Sequence, residues 1–151
     1  MSDFIDNSSN TLENHGNTFA TDSLLQGIAE TSSLPPFEKK VTIELNGIPT
    51  EILCTSFVDR IVIFISQMNK VGTLISAWSE QKNDGGKIYQ TSILLGKRDD
   101  PLLTIYARQL IEKITAHCNK TLLLGISLKE EGRSREQFQF IINSVLENLI
   151  L

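Results

Sequence analysis

The sequence predicts an α+β fold in which a six-stranded antiparallel sheet carries two helices on one face, in the order β-β-β-β-β-α-β-α. From Val41 to Leu95, apolar residues tend to occupy every second position, which is typical of strands. Asn46-Gly47 separates two such runs and is a strong local signal of a hairpin. After Asp100 the apolar spacing becomes three and four, which is typical of helices.

The first five strands are expected to follow one another as an antiparallel meander. They are predicted at residues 41–45, 48–55, 60–67, 71–78 and 88–95. Pro49 is expected near a strand start or on an edge, because proline cannot donate a ladder hydrogen bond. Residues 79–87 are polar and contain Asn83-Asp84-Gly85-Gly86, which predicts a flexible loop.

Two helices and a sixth strand complete the predicted order. Asp100 followed by Pro101 indicates an N-cap and a first-turn proline. A strand follows at residues 121–128, and Ser134 with Gln137 has the spacing of a capping box. The apolar helix faces favour a dimer formed through the helices, and the residues predicted for that face are Leu103, Leu110, Ile114, Phe138, Ile142 and Val145.

Charge and composition divide the chain at Pro35-Pro36. Residues 1–36 hold five acidic side chains and no Lys or Arg, and their apolar residues follow no period. Such a segment buries too little surface to offset its chain entropy. We therefore expect a disordered acidic tail at 1–36 and a nearly neutral α+β domain at 37–151.

Composition also excludes several classes of protein. The longest uninterrupted run of aliphatic or aromatic residues is Ile61–Ile65, whereas a membrane-spanning helix needs about 20 apolar residues. No secretory signal is present, so we expect the cytoplasm or the nucleus. The short basic pairs, such as Lys97-Arg98, lack the interleaved aromatic residues of a nucleic-acid-binding sheet. We expect neither a membrane nor a nucleic-acid partner.

Candidate catalytic residues are few. Cys54 and His117 are the components of a thiol–imidazole pair, but they lie far apart in the sequence and fit burial and helix capping better. Asp99 and Asp100 precede a helix, where capping explains them. The two Cys and two His residues lack the spacing of a metal site. The sequence therefore predicts a binding module without a metal, a cofactor or enzymatic activity.

Several segments carry a resemblance to a known family. They include Asn46–Thr50, Cys54–Phe57, Ile61–Gln67, Ile93–Gly96, Asp100–Leu102 and Thr121–Lys129, and the most specific is the string Gln67-x-x-Lys70-x-Gly72-Thr73-Leu74. In these segments the chain resembles the proteasome assembly chaperone 3 family, over about residues 38–149.

This resemblance implies a non-enzymatic chaperone that promotes assembly of the 20S proteasome alpha ring. It implies binding to an alpha-type subunit, number five. It also implies pairing with a similar fourth chaperone, or with a second copy, through helices packed between two six-stranded sheets. Residues 79–87 are similar in position to a partner-contacting loop of the family, but they are richer in glycine and differently composed. The acidic tail has no counterpart in the family pattern.

Four residues are predicted to contact the client. Lys70 is a turn lysine suited to a carboxylate. Trp78 is the single tryptophan, a residue type enriched in interface hot spots, although a place in the core explains it equally well. Asp84 and Lys87 belong to the predicted loop. A different class of function stays open, since the same fold suits a dimeric scaffold of profilin-like or longin-like type in trafficking or signalling.

Overall fold

The structure is a computed structural model, and it describes residues 36–149. The predicted tail lies outside the described residues except for Pro36, as do residues 150–151. The elements follow the predicted order, with one short 3-10 helix added. They are β1 (Phe37–Leu45), β2 (Ile48–Ser56), β3 (Arg60–Ser66), β4 (Thr73–Gln81), β5 (Lys87–Leu95), α1 (Pro101–Thr115), β6 (Thr121–Ser127), the 3-10 helix (Glu130–Gly132) and α2 (Arg135–Asn148). The α+β prediction is confirmed.

The six strands form one mixed sheet in the order β1-β2-β3-β6-β4-β5. Four of the five neighbouring pairs are antiparallel, but β6 lies between β3 and β4 and runs parallel to β3. The simple meander is therefore wrong at this point. The physical reason lies in β6 itself, in which no residue after Thr121 is exposed. A strand buried on both faces is suited to the centre of a sheet.

The link from β3 to β4 crosses the end of β6. Gly72, in this link, has a φ of +71°, and a Cβ there would lie 2.8 Å from Ser127 Cβ and overlap the carbonyl oxygen of Ile126. The backbone N–H of Gln67 donates to the Ser127 carbonyl oxygen at 2.8 Å. A glycine is required here because any side chain would strike the backbone of the strand below.

Both helices pack on the same face of the sheet and enclose the core. α1 lies over β4, β5 and β6, whereas α2 lies over β1 and β2. The core between the layers is formed mainly by aliphatic side chains that are almost completely buried, including Ile52, Ile63, Ile65, Ile75, Leu110, Ile111, Leu124, Ile126 and Val145. No described element covers the opposite face of the sheet. Within residues 36–149, no helix has the length and apolar character needed to cross a membrane.

Local signals in the sequence correspond to observed turns and caps. Asn46 and Gly47 have φ values of +55° and +74° and join β1 to β2 as predicted. Pro101 occupies the first turn of α1, but the Asp100 side chain does not cap that helix. Ser134 Oγ accepts from the Gln137 backbone N–H at 3.1 Å, which confirms one half of the capping box.

The second half of that capping box is replaced by a tertiary contact. The Gln137 side chain donates through Nε2 to the Leu45 carbonyl oxygen at 2.7 Å. Gln137 therefore ties the start of α2 to the end of β1 instead of closing on its own helix.

Candidate interaction surfaces

The β4–β5 hairpin is longer and its turn tighter than the sequence predicted. Residues 79–81 continue β4 and pair with residues 87–89, so that only five residues form the connection. Within it, the Lys82 N–H donates to the Gly86 carbonyl oxygen at 2.7 Å, and Asp84 Oδ1 accepts from the Gly86 N–H at 3.0 Å. Residues 79–81 gave no strand signal because they are polar, although Ser79 is half-buried and pairs with Tyr89; Glu80 and Gln81 are exposed.

Three predicted client-contact residues belong to this hairpin. Trp78 is half-buried on the uncovered face of the sheet, and its Nε1 donates to Glu80 Oε1 at 2.9 Å. Asp84 is exposed at the tip. Lys87 donates through Nζ to the Thr115 carbonyl oxygen at 3.1 Å, at the C-terminal end of α1. A cation is favourable at that end of a helix, so Lys87 has a structural role as well.

The fourth predicted contact residue, Lys70, lies at the opposite end of β4. It is exposed in the link between β3 and β4, and it lines a cleft of about 350 Å³ beside the end of β6. Lys97, Lys129 and Arg133 line the same cleft, together with Asp100 and Glu130, which both pair with Arg133. The surface around Lys70 is therefore rich in cations. The structure does not bring Lys70 together with the Asp84 tip, because the two lie beyond opposite ends of β4.

Gln67, the first residue of the family-like string, has a structural role. Its buried side chain donates through Nε2 to Thr50 Oγ1 and accepts at Oε1 from the Lys129 backbone N–H, both at 3.0 Å. A Cβ on Gly132 would overlap the same amide group. Gln67 therefore joins β2, the β3–β4 link and the segment that follows β6.

Thr73 and Gly72 in the same string also serve the fold. Thr73 is buried, and its Oγ1 accepts from the Lys97 N–H at 3.1 Å. Most of the string thus holds the crossing over β6 in place, and Lys70 is its exposed member.

Five of the six predicted helix-face residues lie on the inner side of the helix layer, and the sixth, Phe138, also reaches the outer surface. Five are buried against the sheet, and Phe138 is partly buried, with its ring 4.5 Å from that of Tyr106 in an edge-to-face arrangement. Their side chains therefore belong to the chain's own core. A second subunit that approached the helices would meet other residues first.

The outer surface of the helix layer has its own apolar groove. Leu102, Ile105 and Phe138 line it together with residues 133–135, and its volume is about 270 Å³. Ile105 is 49% exposed. The sequence reasoning missed Ile105 because it lies off the periodic apolar face of α1. An apolar residue that lies off the core-facing side of a helix can indicate a second contact surface, and Ile105 is such a residue.

Neither Cys54 nor His117 forms a nucleophile pair. Cys54 is buried in β2, and its burial raises the pKa of the thiol to about 11, with Lys39 acting weakly in the other direction. His117 is exposed beyond α1, where its backbone N–H donates to the Ile114 carbonyl oxygen at 3.0 Å. A thiol with this pKa stays protonated at neutral pH and is a poor nucleophile.

The paired aspartates also have structural surroundings. Asp100 Oδ1 accepts from Arg133 Nη2 at 2.5 Å, which links the start of α1 to the segment before α2. This contact raises the pKa of the Arg133 guanidinium. Asp99 is exposed. Over residues 36–149, no three side chains of His, Cys, Asp or Glu are grouped as metal ligands would be.

Comparison with known sequences identifies a family that this chain matches. The sequence model of the family "Proteasome assembly chaperone 3" matches residues 63–148. The chain is 34% identical to proteasome assembly chaperone 3 of Bos taurus over 97 residues, which cover 62% of this chain and 79% of that protein. It is 32% identical to the Homo sapiens protein over 97 residues, with the same coverage. It is 28% identical to the Nematostella vectensis protein over 110 residues, which cover 66% and 80% of the two chains.

Comparison with solved structures finds the same architecture. One similar chain comes from work described as "Crystal Structure of a Novel Chaperone Complex for Yeast 20S Proteasome Assembly". The TM-score is 0.56 at 14% identity, and the alignment covers 76% of this chain and 98% of that one. At this identity the likeness concerns the fold.

Proposed function

Because the chain belongs to the proteasome assembly chaperone 3 family, we propose that it is a non-enzymatic chaperone that promotes assembly of the 20S proteasome alpha ring, in the cytoplasm or the nucleus. The observation that carries this proposal is the family match over residues 63–148, which extends from β3 to the end of α2. The fold shared with a chain of a yeast proteasome assembly chaperone complex supports it. The protonated state of the Cys54 thiol supports the non-enzymatic part.

We further propose that the client is an alpha-type subunit, number five, bound through the β4–β5 hairpin and the β3–β4 link. Asp84 is exposed at the hairpin tip and Lys70 in the link, so both are available to a client. Trp78 adds a large half-buried ring on the uncovered sheet face, a kind of residue that often anchors an interface. Lys87 contributes by fixing the hairpin on α1.

Pairing with a similar fourth chaperone, or with a second copy, is proposed to use the helix layer. The five buried inner-face residues hold the helices on the sheet, and the groove formed by Leu102, Ile105 and Phe138 presents apolar surface outward. Arg135 at the rim of the groove adds a charge that can select a partner. The proposed contact therefore depends on the outer groove. The buried inner-face residues contribute indirectly, because they fix the helices that form the groove.

Native mass spectrometry of the full chain with alpha-type subunits and the fourth chaperone tests both parts. We expect a complex that contains subunit five and one chaperone partner. Asp84→Ala and Lys70→Ala should each weaken client binding while leaving the melting temperature nearly unchanged, because both side chains are exposed and Asp84 loses only one exposed hydrogen bond, from the Gly86 N–H. Ile105→Glu should weaken the chaperone pair and spare the fold.

A matched control is Val58→Glu, which places the same charge on an apolar residue that is 77% exposed, in the turn between β2 and β3. It should leave both complexes intact. No complex with either protein at micromolar concentrations would contradict the proposal. A stable partner from a vesicle or signalling complex would instead favour the profilin-like or longin-like scaffold.

A further inference from the structure

The outer edge of β5 is a second surface whose backbone is available for pairing. β5 ends the sheet order, and within residues 36–149 its only strand partner is β4. It has nine residues, so it is about 30 Å long at roughly 3.3 Å per residue. Its outward backbone N–H and C=O groups form a template to which another strand can add.

This edge lacks the features that usually protect a free strand. Residues 88–95, Ile-Tyr-Gln-Thr-Ser-Ile-Leu-Leu, contain no charged residue, no proline and no glycine. The one lysine of the strand, Lys87, is turned to the Thr115 carbonyl oxygen of α1. By contrast, the opposite edge strand, β1, carries Glu38, Lys39, Lys40 and Glu44. Charges on an edge oppose pairing with other chains, so the two edges of this sheet differ in kind.

Exposed apolar side chains lie along the same edge. Ile88 is 36% exposed, Leu94 51% and Leu95 65%. α1 covers only the inner face of β5, where Tyr89 and Ile93 pack against the core. Three exposed large aliphatic side chains within residues 88–95, which carry no charge, are unusual for a surface that meets only water.

The sequence of the strand is self-complementary in an antiparallel register centred on Thr91. A twofold axis at Thr91 places Gln90 opposite Ser92, Tyr89 opposite Ile93 and Ile88 near Leu94 of the other copy. Polar residues then meet polar residues and apolar residues meet apolar ones, with no charge opposed to a like charge. The irregularity in the β4–β5 register lies near Leu94, at the end of this segment, so residues 88–93 remain regular.

We propose that the β5 edge binds the β5 edge of a second copy of this chain, so that two six-stranded sheets join into one of twelve strands across a twofold axis. The proposal goes beyond the assembly function and does not rest on it. Because the β5 edge and the outer helix groove are different surfaces, one chain can use both.

Sedimentation velocity of the full chain, from micromolar to millimolar concentrations, tests the proposal. The variants introduce charges at Gln90 and Ser92, which face each other across the proposed twofold axis. Gln90 is half-buried and Ser92 exposed, so both positions accept long side chains. In the double variant Gln90→Lys/Ser92→Lys, lysines oppose each other twice across the axis, which should weaken self-association about tenfold or more. In Gln90→Lys/Ser92→Glu, each lysine faces a carboxylate, and association should return to within about threefold of the natural chain.

Thr42→Lys on the exposed part of β1 is the matched control and should leave association unchanged. The single change Ile105→Glu should also leave the β5 contact intact, which separates this interface from pairing through the helices. The proposal is overturned if the natural chain stays monomeric, or if the two double variants behave alike. It is also overturned if the β5 amides gain protection from hydrogen exchange only when an alpha-type subunit is added, since the strand would then be bound by the client.

Discussion

Gly47 and Gly72 show that glycine can be needed at two turns for different structural reasons. Gly47 and Gly72 both have φ values near +70°, which an L-residue adopts at a cost. Around Gly47 there is open space, whereas a Cβ at Gly72 would overlap the backbone of β6. The first glycine serves a turn, and the second serves the passage of one chain segment over another.

Replacing each glycine by alanine separates these two reasons. Gly47→Ala should lower the free energy of unfolding by about 1–2 kcal/mol, the cost of the left-handed conformation. Gly72→Ala should lower it by roughly 2–5 kcal/mol, because overlap with a backbone oxygen that cannot rotate away is added to that cost. Urea unfolding of both variants measures the difference. Equal losses would mean that the β3–β4 link can lift off β6 without strain.

Cys54 links burial to stability at alkaline pH. Burial raises the pKa of its thiol from 9.0 to about 11, so the folded state holds the proton more tightly than the unfolded state does. Stability is therefore complete below pH 9 and falls as the pH rises toward 11, by up to about 1.4 kcal/mol per pH unit.

Urea unfolding at pH values below and just above 9 measures this slope. Cys54→Ala is the control, and it should be less stable throughout but lack this part of the pH dependence. The window should stay below pH 10, because burial also raises the pKa of Tyr106. A natural chain whose stability does not change across pH 9 would contradict the assignment.

At the scale of strands and helices, the local sequence was sufficient to predict an element wherever the contacts that determine it lie close together in the chain. Asn46-Gly47 predicted the first hairpin, because both residues adopt the positive φ values that its turn requires. Pro101 and Ser134 marked the beginnings of the two helices for equally local reasons. These elements could be read from the sequence within a few residues of their observed bounds.

The partners of the central strands could not be read in the same way. The apolar run of β3 predicted a central strand, but nothing within it specifies β6 as its neighbour. That choice depends on contacts such as Arg60 beside Thr121, which are distant in sequence. A short link between β3 and β4 favoured direct pairing. The absence of a side chain at Gly72 lets that link pass over β6, and the buried Gln67 ties the link to Thr50 and Lys129.

In the candidate surfaces, too, features set by local sequence could be predicted, whereas features set by distant contacts could not. Sequence patterns found Asp84 and Lys70 as exposed turn residues, since turn composition is local. The sequence patterns assigned the predicted helix-face residues to a dimer interface. An apolar helix face indicates that another layer covers it, but it does not show whether that layer is the chain's own sheet or a second subunit. The structure places the chain's own sheet there and leaves Ile105 outside.

On the scale of the whole molecule, β6 joins two otherwise separate sheets. β1, β2 and β3 pair with one another, as do β4 and β5, and the hydrogen-bonded ladder passes from one group to the other only through β6. β6 is also the last strand within residues 36–149. The two groups of strands therefore share a hydrogen-bonded sheet only when the segment from Thr121 onward is present.

A chain that ends at Asn119 should consequently fail to fold, although it retains five of the six strands. β3 and β4 would each have an unpaired edge at the centre of the former sheet, with buried residues such as Ile63 and Ile75 exposed beside it. We expect a broad, non-cooperative thermal transition and strong binding of an apolar dye. Adding residues 120–151 as a separate peptide should restore a cooperative transition, because it supplies β6 and α2 together.

Removing a similar length from the other end is the control. A chain that begins at Leu34 keeps every strand and helix of the described residues and should melt cooperatively, like the full chain. If the chain ending at Asn119 also melted cooperatively, the five remaining strands would have to form a stable sheet by direct β3–β4 pairing. That pairing is the meander expected from local pattern alone, and the link at residues 67–72 would then permit both arrangements. The observed order, with β6 inserted, would in that case be selected by the burial that β6 and α2 add, instead of being required for the sheet to exist.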